Sequence, residues 1–153
     1  MRVQLETVLP CRYDKAIAEV KTPRLLMHIA HPFVSFAPAD GTIIPTNWEE
    51  ETYWFRLKLF GVVPFGKQAV RITFHEDDEA FEIRDNGYSR FIRRWDHRIT
   101  IQKSGGNTLY RDTLDLDAGF ITPFVWLFAR FFYAHRQRRW IRLARAGFEY
   151  ENV

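Results

Sequence analysis

Little in this sequence commits it to covalent cross-linking, metal clusters or a membrane. A single cysteine, Cys11, excludes an intrachain disulfide and a thiolate cluster built from one chain. It follows Pro10 with no histidine near it in sequence, the setting of a small buried hydrophobe rather than a nucleophile. The most apolar stretch, residues 120–133, is short for a bilayer span and carries Arg130. The first residues alternate as a strand does and lack the apolar run and cleavage site of a secretory signal, so a cytoplasmic protein is expected. Internal repeats, low-complexity tracts and Pro/Ser-rich linkers are missing, and 153 residues suit one domain, 1–153, around one core.

Several chemistries are missing too. There is no Gly-x-Ser-x-Gly elbow, P-loop or dinucleotide fingerprint. His28 and His31 stand three apart, but no acid or third histidine lies at metal-ligand spacing and Pro32 breaks the helix there. No metal and no cofactor is expected. A net charge of +3 gives no argument for a nucleic-acid partner.

Aromatic residues, by contrast, are abundant: 16% of the chain, with 14 Phe and 5 Trp. Such side chains serve a core and the wall of a ligand cavity equally well. Charge is unevenly placed. Arg136, Arg138, Arg139, Arg142 and Arg145 crowd into the last helical segment, and Glu76, Asp77, Asp78 and Glu79 form an acidic turn.

Along the chain, residues 2–9 alternate as a strand that ends at Pro10. Tyr13, Ile17 and Val20 have helical spacing, and Pro23 can open a second short helix over residues 24–30. A short strand over 33–36 and a loop over 38–47 follow. Period-two patterns then mark strands over 52–60, 68–75, 79–84, 91–102 and 108–117, with Ser104-Gly105-Gly106-Asn107 as a hairpin signal. From Thr122 to about Ala146 nothing breaks a helix except Pro123, tolerated in the first turn, and Gly147 stands where a C-terminal cap belongs. That helix would be roughly 37 Å long at ~1.5 Å per residue. Segregated helices and an antiparallel meander define an α+β protein.

This order resembles the helix-grip fold of the START-like superfamily, which includes steroid and lipid transfer domains, plant pollen-allergen proteins and aromatic polyketide cyclases. The resemblance is carried by Trp48-Glu49-Glu50-Glu51-Thr52-Tyr53, by Leu59-Phe60-Gly61 through Pro64-Phe65-Gly66, by Trp95-Asp96-His97 and Asp112, and by His135-Arg136 to Arg139-Trp140. It implies a curved antiparallel sheet of about seven strands around the long C-terminal helix, two short helices after the first strand, and an apolar cavity between sheet and helix.

In such a fold, period two assigns the faces. Residues 91–102 should turn Phe91, Arg93, Trp95, His97, Ile99 and Ile101 inward; residues 108–117 should turn Tyr110, Asp112, Leu114 and Leu116 inward. Arg93, His97, Tyr110 and Asp112 are then polar groups on an apolar wall. Either Asp112 bonds Arg93 or His97 in a structural network, or these groups orient the polar end of an apolar ligand. Phe55, Phe74 and Phe81 are expected to supply aromatic wall from the other strands. On the long helix Phe124, Leu127, Phe128, Phe131, Phe132 and His135 share a broad face that continues into Arg138, Arg139 and Arg142. Those arginines are either a solvated helix end or a rim that meets an anionic head group or membrane surface. The apolar turn 60–66 either packs on a neighbouring loop or covers the cavity.

Two functions fit. One is binding of a small hydrophobic ligand of lipid, isoprenoid or polyketide type. The other, implied by resemblance to the cyclases, is dehydration or aldol closure with His97 and Asp112 as acid–base pair.

Overall fold

A computed structural model describes residues 1–39 and 41–152. β1 (Arg2–Leu9) leads into two short helices, α1 (Tyr13–Val20) and α2 (Pro23–Ala30). Six strands follow: β2 (Val34–Pro38), β3 (Thr52–Leu59), β4 (Val63–Glu76), β5 (Ala80–Ser89), β6 (Arg94–Ser104) and β7 (Asn107–Asp117). The helix α3 (Thr122–Arg145) completes the grip. The seven strands form one antiparallel sheet in the order β1-β7-β6-β5-β4-β3-β2. This is the α+β helix-grip fold expected from the sequence.

Local chemistry sets the element ends. Thr22 caps α2, its hydroxyl oxygen accepting from the Leu25 amide at 3.2 Å, with Pro23 at the first helical position. At the far end of α3, Gly147 takes φ +64°, which only glycine adopts freely. Its amide donates to Ala144 O and that of Phe148 to Leu143 O, closing a Schellman motif. The β6–β7 hairpin turns through Gly105 and Gly106, with Ser104 opposite Asn107.

Three strands depart from their expected limits. β4 starts at Val63, because the apolar turn is only residues 60–62 and Phe65 is taken up as a bulge between Leu57/Lys58 and Gly66/Pro64. β5 runs on to Ser89, so Asp85 is a sheet residue. β6 begins at Arg94, after a tight turn closed by the Ser89 amide donating to Ile92 O.

The core lies between the concave face and α3. Trp140, Tyr110, Tyr133, Phe55, Phe81, Ile101 and Leu114 are fully buried. Burying an aliphatic or aromatic side chain of this kind stabilises the fold by about 1.5–3 kcal/mol. α3 is turned differently from the sequence expectation. Its buried face is Ala129, Phe132, Tyr133, Arg136, Gln137, Trp140, Leu143 and Ala144. Phe124, Leu127 and Phe131 are exposed by 77%, 48% and 62%. Ala129 and Ala144 let the helix approach the sheet closely, and Tyr133 and Trp140 fill the concavity. Packing those two rings inward forces Arg136, between them on the same face, into the interior.

Candidate functional site

A cavity of about 340 Å³ lies between the concave sheet, α2 and α3. That is within the range of small-molecule sites, roughly 300–1,000 Å³. Its walls are apolar: Leu25 and Ile29 from α2, Trp48, Leu57 and Leu59 from the β3 side, Val70, Ile72, Ile83 and Ile99 from the sheet, Phe128 and Phe132 from α3. Gln68, Asp85, His97 and Arg136 reach it, beside the polar edges of Tyr133 and Trp140.

The inward set on β6 and β7 is built as alternation predicts from Trp95 onward. His97 and Asp112 are buried diagonal neighbours, since Ile99 is the residue directly opposite Asp112. Asp112 Oδ1 takes the His97 Nε2–H at 2.7 Å and the Tyr110 hydroxyl at 2.6 Å. Its Oδ2 takes the Gln137 amide at 3.0 Å. Burial pushes the Asp112 carboxyl up, but the bond from His97, the charge of Arg136 and the Tyr110 hydroxyl outweigh it and hold the group below its ordinary value. Burial likewise drives His97 down, only partly offset by Asp112. The resting pair is therefore neutral imidazole and carboxylate, with Nε2–H fixed on the aspartate side. The other ring nitrogen, Nδ1, is left as an unprotonated acceptor.

Asp85 stands opposite His97 across β5 and β6, and opposite Ile72 across β4 and β5. The β4–β5 ladder lapses there, and the Arg71 amide donates to Asp85 Oδ1 at 3.0 Å. Gly87 makes this possible, because a Cβ on it would lie 2.3 Å from Ala69 O. Burial lifts Asp85 to about 7, against the Arg71 bond and the Arg136 charge. Arg136 is 4% exposed. Its guanidinium lies over the rings of Tyr133 and Phe132, at 4.9 and 5.7 Å from the centroids.

Of the residues expected to contact a ligand, Trp95, His97, Phe128 and Phe132 line the cavity. Tyr110 and Asp112 sit behind the wall, as support for His97. Phe55 and Phe81 are fully buried in the core beyond it, and Phe74 packs on Phe81. Arg93 is exposed and its amide bonds Asp117 O, because alternation starts only at Arg94; Ile92 takes the inward place and Phe91 points out. Phe131 is outside through the rotation of α3. His135 instead ties α3 to the end of α2, its Nε2 lying 2.8 Å from His31 O. Arg139 does the same, with bonds to His28 O and His28 Nε2, while Arg138 and Arg142 are exposed. The turn 60–62 packs on its neighbours: the Phe60 amide donates to Phe33 O, and its ring meets those of Phe33 and Phe128.

Gln68, Asp85, Tyr133, Arg136 and Trp140 were missed. Continuing the Phe81–Ile83 alternation by one step reaches Asp85. The i+4, i+7 and i+11 steps from Ala129 reach Tyr133, Arg136 and Trp140.

A curved sheet gripping a helix over an apolar cavity is the helix-grip architecture. Residues 35–145 match the family described as "Domain of unknown function (DUF8410)", and the chain belongs to it. No curated protein matches the sequence. Among solved structures, a protein from Thermus thermophilus, TTHA0849, superposes with a TM-score of 0.68 at 13% identity, covering 96% of this chain and 99% of the other. A START superfamily protein from Mycobacterium smegmatis gives 0.62 at 10% identity over 95% and 97% of the two chains. Ara h 8.0201 gives 0.56 at 7% identity over 93% and 98%. Among the described residues no helix is long and apolar enough to cross a membrane.

Proposed function

We propose that the protein binds a small hydrophobic ligand, of lipid, isoprenoid or polyketide type, in the cavity between sheet and α3. The observation that carries this reading is the cavity itself: about 340 Å³, with largely apolar walls reached among the described residues by Gln68, Asp85, His97 and Arg136. The test is titration with the neutral fluorophore N-phenyl-1-naphthylamine. Saturable fluorescence at one site per chain is expected, and its loss in Ile99→Trp, which fills the cavity from the sheet side. A folded wild-type protein that gives no saturable signal overturns the reading.

The His97–Asp112 contact favours a second reading, a cyclase-type enzyme. Neutral His97 with its tautomer set by a carboxylate is equipped to remove a proton from a carbon acid beside a carbonyl, and then to return one to a leaving hydroxyl. If polyketone turnover occurs, His97→Gln should lower it by about 10²–10⁴-fold. Full turnover in that variant would exclude the role.

The exterior of α3 supports a contact surface for an anionic lipid layer. Phe124, Phe131, Arg138 and Arg142 fall within ~40° on the helix and are all exposed. Phe124 also lines the cavity, so this stripe leads to the ligand's point of entry.

A further inference from the structure

Among the described residues, two buried donors on the cavity wall find no acceptor. Arg136 Nε and Trp140 Nε1 make no hydrogen bond there, although Arg136 is 4% exposed and Trp140 is 0% exposed. Both residues line the cavity, and they stand four apart, one turn along the same face of α3. Leaving such groups unpaired is costly, most of all for a guanidinium.

Neighbouring carboxylates do not meet the need. Asp112 already accepts from His97, Tyr110 and Gln137. Asp85 accepts the Arg71 amide and makes no hydrogen bond to Arg136 Nε. His97 turns its Nε2–H to Asp112, and its Nδ1 accepts from neither Arg136 Nε nor Trp140 Nε1. The guanidinium's ring contacts are the faces of Tyr133 and Phe132, and Asp112 and Asp85 act on it through charge without a hydrogen bond to its Nε.

We infer that Arg136 and Trp140 form a head-group site for a hydrophobic carboxylic acid, whose carboxylate accepts from both while its apolar body fills the cavity. This rests on the binding reading above and narrows it from apolar ligands in general to amphipathic acids. The two donors are rigidly held, one over aromatic rings and the other edge-on to Tyr110 at 4.5 Å between centroids. A carboxylate offers two acceptor oxygens, one for each unpartnered N–H, and its bond to a guanidinium is charge-assisted.

The experiment compares dodecanoic acid with dodecanol, identical in chain and different in head, by displacement of N-phenyl-1-naphthylamine at pH 8. The wild-type protein should hold the acid about tenfold or more tightly than the alcohol, as a charge-assisted pair in a dry site implies. Arg136→Met should erase that preference and keep alcohol binding. Trp140→Phe should reduce it in part. Equal affinity for acid and alcohol in the wild-type protein overturns the head-group site while leaving the cavity reading intact, and needs no variant to fold. A preference that survives in folded Arg136→Met also overturns it. If fluorophore, acid and alcohol all fail to bind, both readings fall.

Discussion

His97 and Asp112 meet at 2.7 Å on adjacent strands, and the aspartate accepts from His97, Tyr110 and Gln137 at once. It thereby joins β6, β7 and α3 through one buried carboxylate. Asp112→Ala should lower stability by about 3–5 kcal/mol, because three buried donors lose their partner at once. Urea denaturation measures this. A variant as stable as the wild type would show that the network contributes little.

Asp85 and His97 impose opposite pH dependences. The Asp85 carboxyl has an ordinary value of 3.8 and about 7 when folded, so the folded state holds its proton more tightly. Its contribution is complete below the ordinary value and is lost as pH rises through about 7. His97, driven down by burial, contributes above its ordinary 6.5 and loses that as pH falls. Asp85→Asn removes only the first effect. The melting temperature of Asp85→Asn minus that of the wild type should therefore climb from pH 5 to pH 8. A flat difference would mean that Asp85 carries no buried proton.

Much of the architecture was open to inspection in the sequence because period-two alternation and a capped, unbroken helical segment are local signals. The Ser104–Asn107 turn and the Gly147 cap follow from residue type alone. The inward facing of His97, Tyr110 and Asp112 follows from strand parity. The cavity's charged wall was hidden for a different reason. The helical face drawn through Phe124, Leu127, Phe131 and His135 leaves Arg136 off it, because an arginine scores as a surface residue, whereas the buried face runs through Tyr133, Arg136 and Trp140. Only the combined volume of Tyr133 and Trp140 against the sheet shows which face must be buried, and that is a tertiary fact. Asp85 was lost because an acid reads as the end of an apolar strand, whereas here its carboxylate replaces a missing backbone acceptor.

Gly87 is a close-approach position. A Cβ there would meet Ala69 O at 2.3 Å and crowd Gln68 and Asp85. Gly87→Ala should cost about 2 kcal/mol or more by forcing β4 and β5 apart. It should also shift the Asp85 titration, read by carboxyl NMR chemical shift against pH. An unperturbed variant would mean that the strands can separate there freely.

The exposed stripe on α3 makes a prediction for lipid surfaces. The protein should sediment with vesicles of phosphatidylcholine and phosphatidylserine, less so as salt is added, and Phe124→Ser with Phe131→Ser should weaken the association at every salt concentration. Absence of association at low salt would remove the proposed contact.

The sheet's outermost pairing carries a consequence for how the molecule is made. Arg2 forks onto Asp115, 113 residues away, so β1 has no partner until β7 has been synthesised. Cys11 O and Arg2 O are likewise held from distant segments, by Thr108 and Trp126. On the ribosome, the first strand must wait as an unpaired edge while the meander forms behind it. The closure entropy of that long loop falls on the last steps of folding, when α3 and β1 seal the grip together. A nascent chain cut short before residue 117 would thus expose β1 and an open concave face at the same time, making it a natural client for chaperones.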